Sequence, residues 1–263
     1  KFHSHKKGSW QQIIIAPCAA TSCSESLLRS SAEMAKKYEV GLHTHCGETV
    51  AENEFSLEHF GRRPLDYLLN CGWDYKQAWL AHGIHFNNSE LETLSEQGIG
   101  VAHCPNANMR LGSGICPVPK MLEQGIKVGI GVDGSASNDS GHILGELRQA
   151  LYIARVDGGA EAMSTMDALE LGTWRAAELI GREDIGRIAI GFCGDCALFP
   201  VEDLYSSGCE NAVDALLLCH SRQVTDSIVG GTLQIRDGNL LPIDLSEHMY
   251  RHQRRANELH QFD

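Results

Sequence analysis

The sequence predicts an α/β fold in which helices cover a parallel sheet, followed by a smaller β-rich unit. Between residues 11 and 157, short apolar runs with β-branched residues alternate with segments of helical character. Such alternation is typical of parallel strands joined by helical crossovers. After residue 187, short strands separated by glycine-containing turns replace this pattern. We therefore predict an α/β unit over 1–187, a β-rich unit over 188–243 and a closing helical segment over 244–263.

Each predicted strand of the first unit is a short apolar run that precedes a predicted helix. The strands cover residues 11–18, 39–46, 77–83, 98–105 and 126–134. The helices cover residues 24–38, 57–72, 89–98, 117–125, 141–156 and 165–181. In the second unit, the predicted strands lie within 196–201, 214–219 and 226–241, and a polar helix covers 245–259.

Residues that cap helices mark several of these boundaries. Ser24 and Ser89 are predicted N-caps, because a serine hydroxyl accepts a hydrogen bond from a free backbone N–H of the first helical turn. Gly98 and Gly125 are predicted helix stops, because glycine readily adopts the left-handed conformation that ends helices.

The charge of the chain argues against nucleic acid as a partner. The 263 residues include 34 acidic and 22 basic side chains, for a net charge of −12 that repels phosphate backbones. No stretch approaches the roughly 20 apolar residues that span a bilayer. The basic N-terminus lacks the apolar run of a signal peptide. We expect a cytoplasmic protein that binds a small, neutral molecule.

The ten cysteines are scattered through the chain, and most lie in apolar strand-like runs. Buried free thiols explain this distribution better than a disulfide framework, which is typical of shorter secreted chains. Cys193 and Cys196 form a single CxxC pair without a second pair or histidine pair at a suitable spacing. A structural metal site is therefore not expected there.

Polar side chains stand at the ends of four successive predicted strands. They are His43, His45 and Glu48 at the second strand, His82 at the third, His103 at the fourth and Asp133 at the fifth. In a parallel β/α barrel, catalytic groups gather at the rim formed by the C-terminal strand ends. Imidazole and carboxylate groups at one rim are natural zinc ligands. His43 alone is expected to be structural, packing beneath His45.

Four segments in this order resemble signature segments of the amidohydrolase superfamily. They are HTHCGE (43–48), LAHG (80–83), HCPNANMRLGSG (103–114) and GVDGSASND (131–139). The similarity runs from about residue 11 to residue 257, within the cytosolic branch of ring deaminases and dechlorinases, and is greatest to the oxopurine deaminases such as those acting on 8-oxoguanine. It implies a TIM-type (β/α)8 barrel with a small β-sandwich, and a homodimer.

The resemblance also implies roles for individual residues. His45 and Asp133 would bind Zn²⁺, with Fe²⁺ as the alternative metal, and Asp133 would also take a proton from water. Glu48 would deliver a proton to a nitrogen of a heterocyclic substrate, and His82 would hydrogen-bond the attacking water or the leaving group. The substrate-binding candidates are His103, which would orient the substrate or fix its own loop, and Asn106.

The chain departs from the family pattern at its N-terminus. The family's first motif is an HxH pair that ends barrel strand one, and here only His3 and His5 have that spacing outside the second predicted strand. No apolar strand precedes them, so we do not expect them to be ligands. A barrel needs eight βα units, and about five are present, so we expect the C-terminal portion of a barrel and part of a sandwich.

Three functions remain open at the level of sequence. The first is zinc-dependent deamination of a purine-type base such as 8-oxoguanine, isoguanine or a guanine-like base, with this chain inactive by itself. The second is hydrolytic dechlorination of a triazine ring at the same site or another cyclic amidohydrolase reaction; the protonating role of Glu48 favours an amine as leaving group. The third is a non-catalytic fragment that requires a partner chain.

Overall fold

A five-stranded parallel sheet is the centre of the first unit, as the sequence predicts. The computed structural model describes residues 2–219 and 223–260. The strands are β1 Ile14–Ile15, β2 Gly41–Cys46, β3 Ala78–His82, β4 Gly100–His103 and β5 Val128–Ile130. They are hydrogen-bonded in chain order, β1-β2-β3-β4-β5, and all pairs are parallel. Each connection is therefore a crossover, which brings all the C-terminal strand ends to one edge of the sheet.

The first strand is much shorter than predicted. The sequence suggested 11–18, whereas only Ile14 and Ile15 pair with β2, and a single further bridge joins Ala19 to His45. Pro17 lies between the two contacts and has no N–H to donate to a ladder, which accounts for the interruption.

Nine helices connect or follow these strands in the described part of the first unit. They are α1 Glu25–Tyr38, α2 Val50–Phe60, α3 Pro64–Asn70, α4 Asn88–Gln97, α5 Pro105–Leu111, α6 Val118–Glu123, α7 Ile143–Gly158, α8 Thr165–Leu171 and α9 Trp174–Leu179. The main core forms where strand residues such as Leu42, Leu80 and Val101 meet helix residues such as Leu28 and Leu94. Burial of each such side chain stabilises the fold by about 1.5–3 kcal/mol.

Two predicted helices are each divided in the structure. The segment predicted over 57–72 is the end of α2 and all of α3, because Gly61 adopts a left-handed conformation and Pro64 starts a new helix. The segment predicted over 165–181 is α8 followed by α9, with the break at Gly172. A side chain at Gly172 would lie 2.9 Å from Leu147, so the two helices pack closely on α7. Helix α5 was not predicted.

The capping residues are confirmed in part. Ser24 accepts a hydrogen bond from the Leu27 N–H, and Gly98 ends α4 in a left-handed conformation. The predicted cap Ser89 is wrong: the N-cap of α4 is Asn87, which accepts from the Glu90 N–H while Glu90 accepts from the Asn87 N–H. This reciprocal pair satisfies two backbone donors, which a serine inside the first turn cannot do.

The second unit contains a four-stranded antiparallel sheet. Its strands are β6 Cys196–Leu198, β7 Asp226–Val229, β8 Thr232–Arg236 and β9 Asn239–Leu240, in the order β6-β7-β8-β9. The strand predicted over 214–219 is wrong, because that stretch follows the short helix α10 Ala212–Asp214 as a π-helical turn, Ala215–Cys219, which buries Ala215 and Leu217. The predicted last helix is confirmed as α11 Leu245–Leu259.

Across the described residues, none of the helices combines the length and the apolar character required to cross a bilayer.

Candidate metal and active site

The predicted site residues come together at the C-terminal edge of the parallel sheet. His45 lies near the end of β2, His82 and His103 are the last residues of β3 and β4, and Glu48 lies two residues beyond β2. Asp133 was predicted to end the fifth strand, but β5 ends at Ile130, and Asp133 stands in the loop that follows. The loop position gives Asp133 a backbone conformation that a strand would not allow.

His45, His82 and Asp133 form a cluster that could hold a metal ion. One potential ligand atom from each residue lies within 4.8 Å of the other two. Two imidazoles and one carboxylate are a donor set that suits Zn²⁺, which catalytic sites bind with three protein ligands and one open position. We call these three residues the donor cluster.

The backbone of the segment that follows β1 orients the ring of His45. Alternation along β2 places His43 and His45 on the same face of the sheet, with Leu42 and Thr44 buried on the other. His45 Nδ1 lies 2.6 Å from the carbonyl oxygen of Cys18. Because a carbonyl only accepts, Nδ1 carries the proton and Nε2 keeps its lone pair, as metal-binding histidines require.

His82 is almost completely buried and is also held through Nδ1. Nδ1 lies 2.8 Å from Oδ1 of Asn108, so it donates to the amide oxygen and leaves the lone pair on Nε2. Nε2 is buried without a hydrogen-bond partner and lies 3.8 Å from Oε1 of Glu48. A buried polar atom without a partner is rare in folded proteins, and here it faces the candidate metal position.

His82 and Asp133 both have left-handed backbone conformations, with φ of 74° and 63°. Such a conformation in a residue other than glycine costs about 1–3 kcal/mol and is concentrated at functional sites. The Gly134 N–H donates to Oδ1 of Asp133 at 2.6 Å, which orients the carboxylate. Strain at two of the three members supports a functional role for the cluster.

The two predicted substrate-binding residues differ in their surroundings. His103 is 1% exposed, and neither ring nitrogen has a hydrogen-bond partner. Burial, followed by the nearby His82, lowers the pKa of His103 to about 3, so its ring is neutral at physiological pH. The side-chain amide of Asn106 instead donates to Oε1 of Glu146 at 2.6 Å, and its backbone N–H donates to Oε2 at 3.1 Å.

The other histidines and the cysteine considered as possible ligands make contacts outside the donor cluster. His43 Nδ1 bonds the carbonyl of Trp79 at 3.0 Å, and the His43 ring stacks on that indole. His3 and His5 contact each other at the exposed N-terminus, outside the donor cluster. Cys193, from the CxxC pair, donates its thiol proton to Asp184 at 3.2 Å.

Sequence reasoning missed three residues around the site, namely Asn108, Asn138 and Glu146. Asn138 and Glu146 are joined by a hydrogen bond from Asn138 Nδ2 to Glu146 Oε1 at 2.5 Å. Burial raises the pKa of Glu146, and hydrogen bonds from Asn106 and Asn138 oppose that rise. The available signal was the presence of Asn108 and Asn138 within two of the signature segments; nothing in the helical segment marks Glu146 as more than a surface acid.

Comparison with known proteins identifies related sequences and structures. The model of the amidohydrolase family matches residues 1–233. The 8-oxoguanine deaminase of Pseudomonas aeruginosa is 44% identical over 259 residues, which are 98% of this chain and 58% of the relative. The chain therefore spans less than two thirds of that relative's length.

Two solved structures share the fold closely. A zinc-bound adenosine deaminase from Xanthomonas campestris superimposes with a TM-score of 0.92 at 25% identity, over 95% of this chain and 58% of the other. A zinc complex of the atrazine chlorohydrolase of Arthrobacter aurescens gives a TM-score of 0.91 at 28% identity, over 95% and 56% of the two chains.

Proposed function

The chain belongs to the amidohydrolase family, and from that premise we propose that it carries the site of a zinc-dependent deaminase of a purine-type base. The substrates we infer are 8-oxoguanine, isoguanine or a guanine-like base. The donor cluster is the observation that supports this most strongly, since three ligand atoms lie within 4.8 Å of one another and His82 Nε2 is buried without a partner. The 44% identity to an 8-oxoguanine deaminase supports the choice of substrate.

His45 and Asp133 are the residues that would hold the ion, Zn²⁺ or alternatively Fe²⁺. When bound, such an ion acts as a Lewis acid that makes hydroxide available near neutral pH. The Nε2 lone pair of His45 and the carboxylate of Asp133 suit this task, because the Cys18 carbonyl and the Gly134 N–H fix their orientations.

Asp133 and Glu48 divide the proton transfers of the reaction. Asp133 takes a proton from the attacking water, and Glu48 gives one to a ring nitrogen, which neutralises the charge that addition places on the ring. A carbon–oxygen bond forms, and the carbon–nitrogen bond to the amino group then breaks. The proton held by Asp133 leaves with that group, and the hydroxyl proton of the adduct returns to Glu48 as the carbonyl forms, so base–NH₂ and water give the oxo base and ammonia.

His82, His103 and Asn106 position the reactants. His82 Nε2 faces Glu48 with its lone pair and accepts a hydrogen bond from the attacking water. His103 stays neutral and has two ring nitrogens without protein partners, so we assign it to the heterocycle. The amide nitrogen of Asn106 is engaged by Glu146, which leaves its amide oxygen for a donor on the base.

The parallel sheet corresponds to the C-terminal part of an eight-stranded barrel, and the second sheet to part of a β-sandwich. Such a barrel has eight strands, whereas five are described here. Catalytic zinc usually has three protein ligands. Because we assign His82 to the attacking water, His45 and Asp133 supply only two. The chain also spans only 58% of the deaminase it resembles. We infer that the remaining strands carry further ligands and that this chain alone is inactive.

The experiment that tests the function combines metal content with ammonia release. Elemental analysis of the chain, purified without chelators, measures zinc per chain in wild type and Asp133→Ala. Zinc in the wild type that Asp133→Ala loses would support the ligand assignment. Zinc retained by Asp133→Ala would contradict it. The complete barrel should release ammonia from 8-oxoguanine, isoguanine or guanine, and inertness towards all three would overturn the substrate assignment.

Triazine dechlorination is the second candidate, favoured by the structural similarity to the atrazine chlorohydrolase. Its identity of 28% is well below the 44% of the deaminase. Chloride release from a chlorotriazine without ammonia release from the purines would favour dechlorination over deamination.

A further inference from the structure

Glu146 is a fully buried carboxylate, and among the described residues it accepts hydrogen bonds only from neutral groups. It lies in the first turn of α7 and is 0% exposed. Its three donors are the backbone N–H of Asn106 and the side-chain amides of Asn106 and Asn138, at 3.1, 2.6 and 2.5 Å. A buried carboxylate without a cationic partner is unfavourable for stability. Its presence beside the site therefore requires another reason.

Asn138 connects Glu146 to both sides of Asp133. Its side-chain amide donates to the carbonyl of Val132 at 2.9 Å, and its backbone N–H donates to the carbonyl of Gly134 at 2.9 Å. The peptide unit before Asp133 and the peptide unit after Gly134 are thus held by one residue. Such a clamp is what a strained, left-handed Asp133 needs in order to keep its conformation.

Asn106 connects the same carboxylate to His82. Asn106 lies in the first turn of α5, and Asn108, two residues later in that helix, accepts from His82 Nδ1. Fixing the start of α5 therefore also fixes the acceptor that orients His82. Among the described residues His45 has no such connection, because its ring is held by the carbonyl of Cys18, which follows β1.

We propose that Glu146 is a positioning residue that holds two members of the donor cluster, Asp133 through Asn138 and His82 through Asn106 and Asn108. The expected effect of Glu146 on metal binding rests on the proposed function. The expected effect of Glu146 on the order of the loop that carries Asp133 does not. Glutamine at this position would keep the size but turn an NH₂ group towards at least one of the three N–H donors. Two donors would then face each other without an acceptor.

Hydrogen–deuterium exchange of the metal-free chain tests the proposal directly. In Glu146→Gln, amide exchange within 131–140 and 104–110 should accelerate about ten-fold, the effect of losing one hydrogen bond. Exchange within 41–46, which carries His45, should not change. Asn138→Ala, a milder variant, should accelerate 131–140 and leave 104–110 unchanged. Unaltered exchange within 131–140 in both variants would overturn the proposal.

Glu90→Gln is the matched control, because Glu90 is also a buried glutamate but pairs with Arg63 at 2.7 Å, away from the donor cluster. It should lower the melting temperature without changing exchange within 131–140. An equal acceleration in this control would mean general destabilisation and would also overturn the proposal.

Titration with Co²⁺ as a visible probe gives the second readout. Glu146→Gln should bind Co²⁺ about 10–100-fold more weakly, with an altered absorption spectrum, while Glu90→Gln binds like wild type. Equal Co²⁺ affinity in wild type and Glu146→Gln would refute the metal-positioning role. If the wild-type chain binds no Co²⁺, the proposed metal site fails in this chain, and the exchange data still decide the role of Glu146.

Discussion

The role of Glu48 can be tested independently of metal binding. Its side chain lies 3.8 Å from His82 Nε2, but Glu48 is not a member of the donor cluster. We predict that Glu48→Gln lowers kcat for ammonia release by the complete barrel about 10²–10⁴-fold, since an amide cannot supply the proton. Zinc content should be unchanged. Glu54→Gln is the control, because Glu54 is exposed on the helix that follows Glu48, and this variant should retain full activity. A Glu48→Gln enzyme with wild-type kcat would exclude the proton-transfer role.

Asp184 is the residue whose titration should be visible in the stability of the fold. Arg182 binds both of its carboxylate oxygens, at 2.6 and 2.9 Å, and the Gly8 N–H donates to it at 2.6 Å. The Arg182 guanidinium, more than any other group, holds the pKa of Asp184 well below its usual value of 3.8. A depressed pKa means that the stabilisation is complete above pH 3.8 and is lost as the pH falls below it.

Asp184→Asn should therefore lower the free energy of unfolding at pH 7 by about 2 kcal/mol and weaken its decline below pH 4. Urea unfolding at pH 7, 5 and 3 measures both effects. The exposed Asp157, replaced by Asn, should leave the acid dependence unchanged. Parallel acid profiles for wild type and Asp184→Asn would show that this ion pair does not contribute as described.

At the scale of single elements, the N-cap of helix α4 is Asn87 in the structure, whereas the sequence suggested Ser89. Asn87→Ala removes the acceptor for the Glu90 N–H and should lower the free energy of unfolding by about 1 kcal/mol. Ser89→Ala should lower the free energy of unfolding by only a few tenths of this amount, because the Ser89 hydroxyl donates only to the Asn87 side chain. Chemical denaturation of the two variants measures the difference. A larger loss in Ser89→Ala would restore the sequence-based assignment.

At the scale of the whole molecule, apolar surface remains open beside the second sheet. A groove of about 770 Å³ lies between α7, α9 and β7, and Ile188 on its border is 90% exposed. Ile190, two residues later, is completely exposed. Large apolar patches drive association. We expect concentration-dependent self-association in sedimentation velocity, reduced by Ile188→Lys with Ile190→Lys. Val156→Lys, an equally apolar but separate exposed site on α7, should leave it unchanged; a monomer at all concentrations would contradict the prediction.

Local sequence patterns were sufficient to predict the alternation of strands and helices and the strand ends at which His45, His82 and His103 stand. These features depend on local periodicity and on the shared direction of parallel strands, both of which are encoded within each βα unit. The sequence also indicated the family, through four short segments in order. The roles of Glu48, His103 and Asn106 remain predictions.

Contacts between separate segments could not be predicted from the sequence and are seen only in the folded chain. Asn138 holds the backbone beside Asp133, and Asn108 accepts a hydrogen bond from His82. Glu146 is connected to both groups, and these contacts join residues up to 40 positions apart. The π-helical turn at Ala215–Cys219, an apolar run like a strand, likewise follows from packing that buries Leu217. Local sequence cannot specify such contacts, because their energies arise only when separate elements meet and exclude water.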